Sequence, residues 1–225
     1  MRRAEAVLAS VLALVLVSFA VRGEEYGRVF SKADDAPGKI ALTFDDGPHP
    51  RLTEEILDVL SEYGVKATFF VVGENAEKYP LIVEREVREG HEIGNHTFSH
   101  RNVKTGSSGK IKKEITATED AVFEAIEYRP RLFRPPEGKL GATAKRIAAE
   151  LGYTVVLWSV DTEDWRHRSA GEIEKAALSA GDGDVILCHD FISGGSNTAE
   201  ALRRFIPKML AEGYVFVTVS ELIGE

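Results

Sequence analysis

Two histidines, His96 and His100, stand four residues apart in the run His96-Thr97-Phe98-Ser99-His100. On one helical turn or in a tight loop, that spacing puts both imidazoles on one side. A carboxylate joining them would make a three-ligand site with an open position, the arrangement of a catalytic rather than a structural zinc. Asp45-Asp46, turned out of its strand by Gly47-Pro48, can offer that carboxylate. By ligand type the cation is a divalent metal, zinc first, with cobalt, nickel or iron also compatible with a His/His/Asp set. Two adjacent carboxylates repel unless something positive separates their roles. A cation on one leaves the other as a general base. Arg134-Pro135-Pro136 adds a guanidinium that is always charged. His189 adds an imidazole that a nearby carboxylate would keep protonated near neutral pH. Taken alone, HxxxH is often two surface histidines and Asp-Asp-Gly-Pro a solvated turn. Their weight comes from where they fall along the chain.

Strand-like and helix-like segments alternate. Lys39 to Phe44 reads as a strand, and Leu52, Ile56, Val59, Leu60 and Tyr63 make a helical stripe stopped by Gly64. Lys66 to Val72 and His91 to Gly94 read as strands, with a helix from Leu81 to Glu89 between them. Ile111, Ile115, Val122 and Ile126 mark a long helix after the Gly/Ser turn at 106–109. Arg131 to Arg134, Thr154 to Val160, Asp184 to Cys188 and Tyr214 to Val219 read as strands. A helix ends at Gly152, another opens with the capping box Ser169 and Glu172, and a third carries Leu202, Phe205, Ile206, Met209 and Leu210. Strict alternation implies a parallel sheet with helices outside. Closed barrel and open doubly wound sheet both satisfy the pattern. The expectation is α/β, a distorted (β/α) barrel of about seven βα units with strands inside and helices outside. Every chemistry-bearing group falls where a strand ends and its loop begins, the edge where parallel α/β folds build sites.

At this point the motifs show a resemblance. TFDDGP at 43–48, HTFSH at 96–100, RPPEG at 134–138, DTEDW at 161–165 and LCH at 187–189 resemble, in order, the five motifs of the polysaccharide deacetylases (NodB-homology domain, carbohydrate esterase family 4). The resemblance implies that Asp46 is the third metal ligand and that Asp45 takes the proton of a metal-activated water. It implies that Arg134 orients Asp45, and that His189 is the general acid with Asp164 as its partner. It makes Trp165 a wall of the groove and Leu187 the lining of a pocket for the acetyl methyl. It places Pro136 and Glu137 on the substrate side, the Glu137 N–H helping to hold an oxyanion. The chain departs from the family at Glu137, where an aromatic, commonly Tyr, is frequent. An acidic rim there changes substrate preference and repels an anionic polymer.

The implied reaction is metal-dependent hydrolysis of N-acetyl groups from an extracytoplasmic carbohydrate polymer, releasing acetate. Peptidoglycan amino sugars are the first choice of substrate; chitin-like chains or poly-N-acetylglucosamine are the second. A deacylase of a small amide or cyclic imide, and a non-catalytic glycan-binding protein on the same fold, are the rival readings. Net charge is −8, which excludes the basic face a nucleic-acid partner wants. Arg2 and Arg3 precede an apolar run from Ala6 to Val21, so residues 1–23 read as a signal peptide or N-terminal membrane tether. The protein is then secreted or extracytoplasmic. Residues 24–37 read as a linker and 38–225 as the catalytic domain. Cys188 is the one cysteine and reads as core, so no internal disulfide forms. His49 and His91 read as turn or supporting residues, His167 as loop surface, and Phe69, Phe70 and Trp158 as core. Oligomeric state leaves no mark on the sequence.

Overall fold

Parallel strands form one curled sheet, a half-barrel with helices around it. The computed structural model describes residues 27–224. The expected signal peptide or tether at 1–23 lies outside the described residues. Among those residues no helix is long and apolar enough to cross a membrane. The strands are β1 (Val29–Phe30), β2 (Lys39–Asp45), β3 (Thr68–Val71), β4 (Glu92–Asn95), β5 (Leu132–Phe133), β6 (Thr154–Val156), β7 (Val160–Asp161), β8 (Val185–His189) and β9 (Val215–Val217). Their order across the sheet is β1-β6-β5-β4-β3-β2-β8-β7, with β9 also paired to β2.

Period-two alternation sorts each strand between two environments. On β2, Ile40, Leu42 and Phe44 pack against the helices, in a cluster with Ile56, Leu60, Leu202 and Phe205. Ala41 packs on the other face with Phe70, Leu132, Val156 and Val185. Thr43 and Asp45 follow Ala41 on that inner face. On β8 the same alternation sends Ile186 and Cys188 to the helix side, so the thiol is core, as expected. The helices that cover the sheet include α1 (Leu52–Tyr63), whose buried side chains are Leu52, Thr53, Ile56, Leu57, Val59 and Leu60. It stops at Gly64, which takes a left-handed φ of 64° that an L-residue resists.

The structure differs from expectation in three places. The run 154–160, expected as one strand, is split into β6 and β7, and the two halves lie at opposite sides of the sheet. β6 pairs with β1 and β5, while β7 pairs with β8. The residues between them therefore span the opening of the half-barrel. Their backbone is engaged on both sides: Leu157 N–H donates to Phe30 O, and Ser159 N–H donates to Val185 O. Second, the expected linker 24–37 is in its described part built into the sheet. β1 lies within it, Phe30 and Ala36 are buried, and Ala33 N–H donates to Gly183 O. The polar composition of that stretch hid a two-residue strand. Third, short helices at Gly73–Lys78 and Val219–Ile223 have no long apolar stripe to announce them. The second is opened by a capping box of Thr218 and Glu221 and cuts the last strand short.

Phe30 tests whether the stretch expected as a linker belongs to the folded sheet. Phe30→Ala is expected to destabilise the protein by about 3 kcal/mol, the scale of a buried aromatic truncation. The midpoint of urea unfolding measures it; a linker residue would leave that midpoint unmoved.

Candidate active site

The Asp45-Asp46-Gly47-Pro48 turn is held from below. Asp190 is fully buried; its Oδ1 accepts from Gly47 N–H at 2.9 Å and its Oδ2 from Thr53 Oγ at 2.7 Å. Burial, with the charge of Asp46, pushes the Asp190 carboxyl up to about 7. A Cβ on Gly47 would lie 1.9 Å from that carboxylate, so only glycine fits there. Asn75 Nδ2 donates to Asp46 O at 2.8 Å, and Asp46 itself takes a left-handed φ of 81°. This departure from strand geometry lets two neighbouring aspartates both enter the cleft.

The His96–His100 segment is a tight loop, not a helical turn. Thr97 and His100 have φ of 69° and 52°, a costly conformation, above all for a β-branched residue. The surroundings impose it. Thr97 N–H donates to Asn95 Oδ1 at 3.0 Å, and Asn95 is in turn anchored to Ile115 O and Tyr153 Oη. Ser99 donates to Glu114 through both its N–H and its hydroxyl. Three donor atoms converge as a result. Asp46 Oδ1 stands 3.0 Å from His100 Nε2 and 3.4 Å from His96 Nε2. That oxygen is buried and no group donates to it in good geometry. His96 Nδ1 donates to Arg134 O at 2.7 Å, which leaves the Nε2 lone pair pointing at the shared space. Burial works against an ionised Asp46, but His100 and His96 hold its carboxyl well below the usual carboxylate range. An orphaned carboxylate oxygen and two imidazoles with mutual reach fit a divalent cation; among the described residues no other cluster does.

Arg134 is wholly buried and stacks its guanidinium 4.0 Å from the Phe70 ring centroid. Its Nη1 donates to Asp45 Oδ1 at 2.7 Å and to Thr43 Oγ at 2.8 Å. Its Nε and Nη2 donate to the carbonyls of Val156 and Leu157. Across the cleft, His189 Nδ1 donates to Asp164 Oδ1 at 2.7 Å. Asp164 Oδ2 accepts from His189 N–H and from Thr198 Oγ, so the carboxylate is fixed on both oxygens. Burial alone would lower the His189 pKa, but Asp164, helped by Asp45 and Asp46, raises it to about 9. The open cleft between these groups has a volume of about 480 Å³ and is lined among others by Asp45, Asp46, His96, His100, Leu187 and His189.

Comparison with known proteins decides the relationship. The family model described as polysaccharide deacetylase matches residues 32–156. The chain belongs to the polysaccharide deacetylase family. Among its relatives, the peptidoglycan-N-acetylglucosamine deacetylase PgdA of Listeria monocytogenes is 43% identical over 188 residues, 83% of this chain and 39% of PgdA. The peptidoglycan-N-acetylmuramic acid deacetylase PdaC of Bacillus subtilis is 41% identical over 184 residues, 81% of this chain and 38% of PdaC. The chain thus spans well under half the length of these two relatives. A solved peptidoglycan N-acetylglucosamine deacetylase superposes with a TM-score of 0.84 at 40% identity, covering 88% of this chain and 94% of that one.

The cleft gathers most of the expected residues. Asp45, Asp46, His96, His100, Glu137, Trp165, Leu187 and His189 line it, and Arg134 and Asp164 lie directly behind Asp45 and His189. Pro136 is buried and is not among the lining residues; it opens the short 3-10 turn Pro136–Gly138 that presents Glu137. Trp158, expected as core, packs against the inner apolar cluster and also lines the cleft. It belongs to the stretch that crosses the half-barrel opening, which strand periodicity does not anticipate. Asp161 and Lys139 also line the cleft. Sequence reasoning gave Asn95, Thr198 and Asp190 no role. For Asn95 and Asp190 the only available signal was adjacency to motif residues, Asn95 before His96 and Asp190 after His189; Thr198 had none. His49 is a turn residue, as expected: its Nδ1 accepts from the Arg51 and Leu52 N–H groups.

Asp190→Ala is expected to cost about 1–3 kcal/mol, because the Gly47 N–H would be left buried without an acceptor. Equilibrium urea unfolding reads this directly. A variant as stable as the parent would show that the turn needs no support from Asp190.

Proposed function

We propose that this chain hydrolyses N-acetyl groups from the amino sugars of an extracytoplasmic polymer, peptidoglycan first, with chitin-like or poly-N-acetylglucosamine chains second. One observation carries the reading: Asp46, His96 and His100 converge between the Asp45–Arg134 pair and the Asp164–His189 pair. The names of the relatives support peptidoglycan. The open cleft, with Trp165 46% exposed at its edge, suits a polymer better than a small cyclic imide. The intact set of ionisable groups favours an enzyme over a glycan-binding protein. In this reading the catalytic domain is residues 38–225 together with β1 and the buried stretch that follows it, and residues 1–23 provide export or tethering.

Asp46, His96 and His100 would hold the divalent cation, zinc first and cobalt, nickel or iron also by ligand type. When bound, it supplies Lewis-acid polarisation and a lowered pKa for neighbouring water. Asp45 receives a proton from the attacking water. Arg134 grips Asp45 Oδ1 and leaves Oδ2 facing the cleft, 3.7 Å from His96 Nε2. The Glu137 N–H donates to the developing oxyanion. Leu187 receives the acetyl methyl, and Trp165 walls the sugar. As the C–N bond breaks, the His189 imidazolium gives its proton to the leaving nitrogen, yielding a free amine and acetate.

His96→Ala is expected to lose both bound metal, read by elemental analysis, and acetate release from peptidoglycan, chitooligosaccharides and acetylated xylan. Activity that survives chelation would overturn the mechanism. The pH profile tests the acid. The raised pKa of His189 keeps it protonated at neutral pH, so kcat/KM falls only as pH rises through about 9. Asp164→Asn is expected to move that alkaline limb down towards the ordinary imidazole value of about 6.5. A limb that stays in place would remove His189 as the proton donor.

A further inference from the structure

The rim of the cleft carries a charge pair that the proposed mechanism does not use. Lys139 Nζ is ion-paired with Glu137 Oε2, and both side chains are 51% exposed. Asn102 Nδ2 donates to the same oxygen at 3.2 Å. Asn102 is itself fixed, since its Oδ1 accepts from Lys104 N–H at 2.9 Å. Glu137 is therefore held from one side by a neutral donor and from the other by a flexible ammonium. The turn beneath them is firm. Gly138 N–H donates to Pro135 O and Lys139 N–H to Pro136 O, and Gly138 lies against Trp158.

The charge balance of the cleft gives this pair a purpose. Among the described residues that line it, Asp45, Asp46, Asp161 and Glu137 are carboxylates and Lys139 alone carries an ammonium. Asp45 is already matched by Arg134, and Asp46 by its imidazoles. Lys139 is thus the one ammonium that can turn to a substrate. An exposed ion pair is weak, so exchanging its carboxylate partner costs little. Glu137 keeps its Asn102 hydrogen bond when the exchange occurs.

We propose that Lys139 is a specificity-determining residue that receives a carboxylate on the substrate glycan, and that Glu137 competes for the same ammonium. The pair sets the preference between anionic and neutral amino-sugar chains. This rests on the deacetylase reading above, with the sugar acid identified only by its charge. The two residues act with opposite sign. Without Lys139 a carboxylated sugar at the rim meets Glu137 with no ammonium beside it. Without the Glu137 charge, Lys139 is free to bind it.

Two tetrasaccharides of equal length test this: neutral chitotetraose, and an alternating chain of N-acetylglucosamine and N-acetylmuramic acid bearing lactyl carboxylates. The readout is the ratio of kcat/KM for the anionic over the neutral chain, by acetate release. In parallel, calorimetric titration gives the same ratio from dissociation constants. Lys139→Gln is expected to lower the ratio and Glu137→Gln to raise it, each by roughly three-fold, the scale of one exposed ion pair. The differences should shrink as ionic strength rises. Ratios that do not move, or that move the same way in both variants, overturn the proposal. If the parent protein releases no acetate from either chain, the deacetylase reading fails by itself. The binding ratios then still decide for or against the role of Lys139.

Discussion

A guanidinium sealed from water cannot stay unmatched, and the interior of this half-barrel is organised around that demand. Arg134 reaches Thr43 and Asp45 on one strand and two carbonyls at the end of another, and lies on the ring of Phe70. Its own carbonyl fixes the imidazole of His96. One side chain thus sets the position of the carboxylate proposed as base, while its backbone sets the tautomer of a proposed ligand. Breaking such a buried pair by removing one partner costs about 3–5 kcal/mol, because a bare charge remains inside. The pair therefore serves stability and geometry together.

Around that anchor, the backbone is bent against its own preferences. Asp46, Thr97, His100, Glu137 and Glu163 all adopt positive φ without being glycine. All five lie in the loops at the ends of the strands. Strain of this kind persists only where surrounding contacts over-determine it. Asn95, Glu114, Asn75 and Asp190 supply those contacts at the first three of these positions or beside them. The polar residues with no proposed part in the chemistry are thus the reason the chemical ones converge.

The sequence was most informative where signal was local. Period-two and helical stripes located the long elements, and five short motifs at strand ends located the cleft. His96, His100 and the two aspartates were legible because each group falls where a strand ends, in order with the other motifs. What stayed hidden depends on contacts between distant segments. Phe30 pairs with a strand far along the chain, so nothing beside it marks it as sheet. Trp158 sits in a run that reads as one strand, yet that run serves both sides of an open sheet. Asp190 looks like an ordinary loop acid until Gly47 is placed above it.

The strand register places Asp45 directly beside His189, on neighbouring strands. In sequence the two are 144 residues apart. A chain that emerges amino-terminus first carries Asp45, Asp46 and the two histidines well before the strand that completes the cleft. Such non-local pairing pays loop-closure entropy before any contact repays it. The proposed hydrolytic centre is consequently among the last features to assemble, and a nascent or partly threaded chain has no finished cleft in which to act.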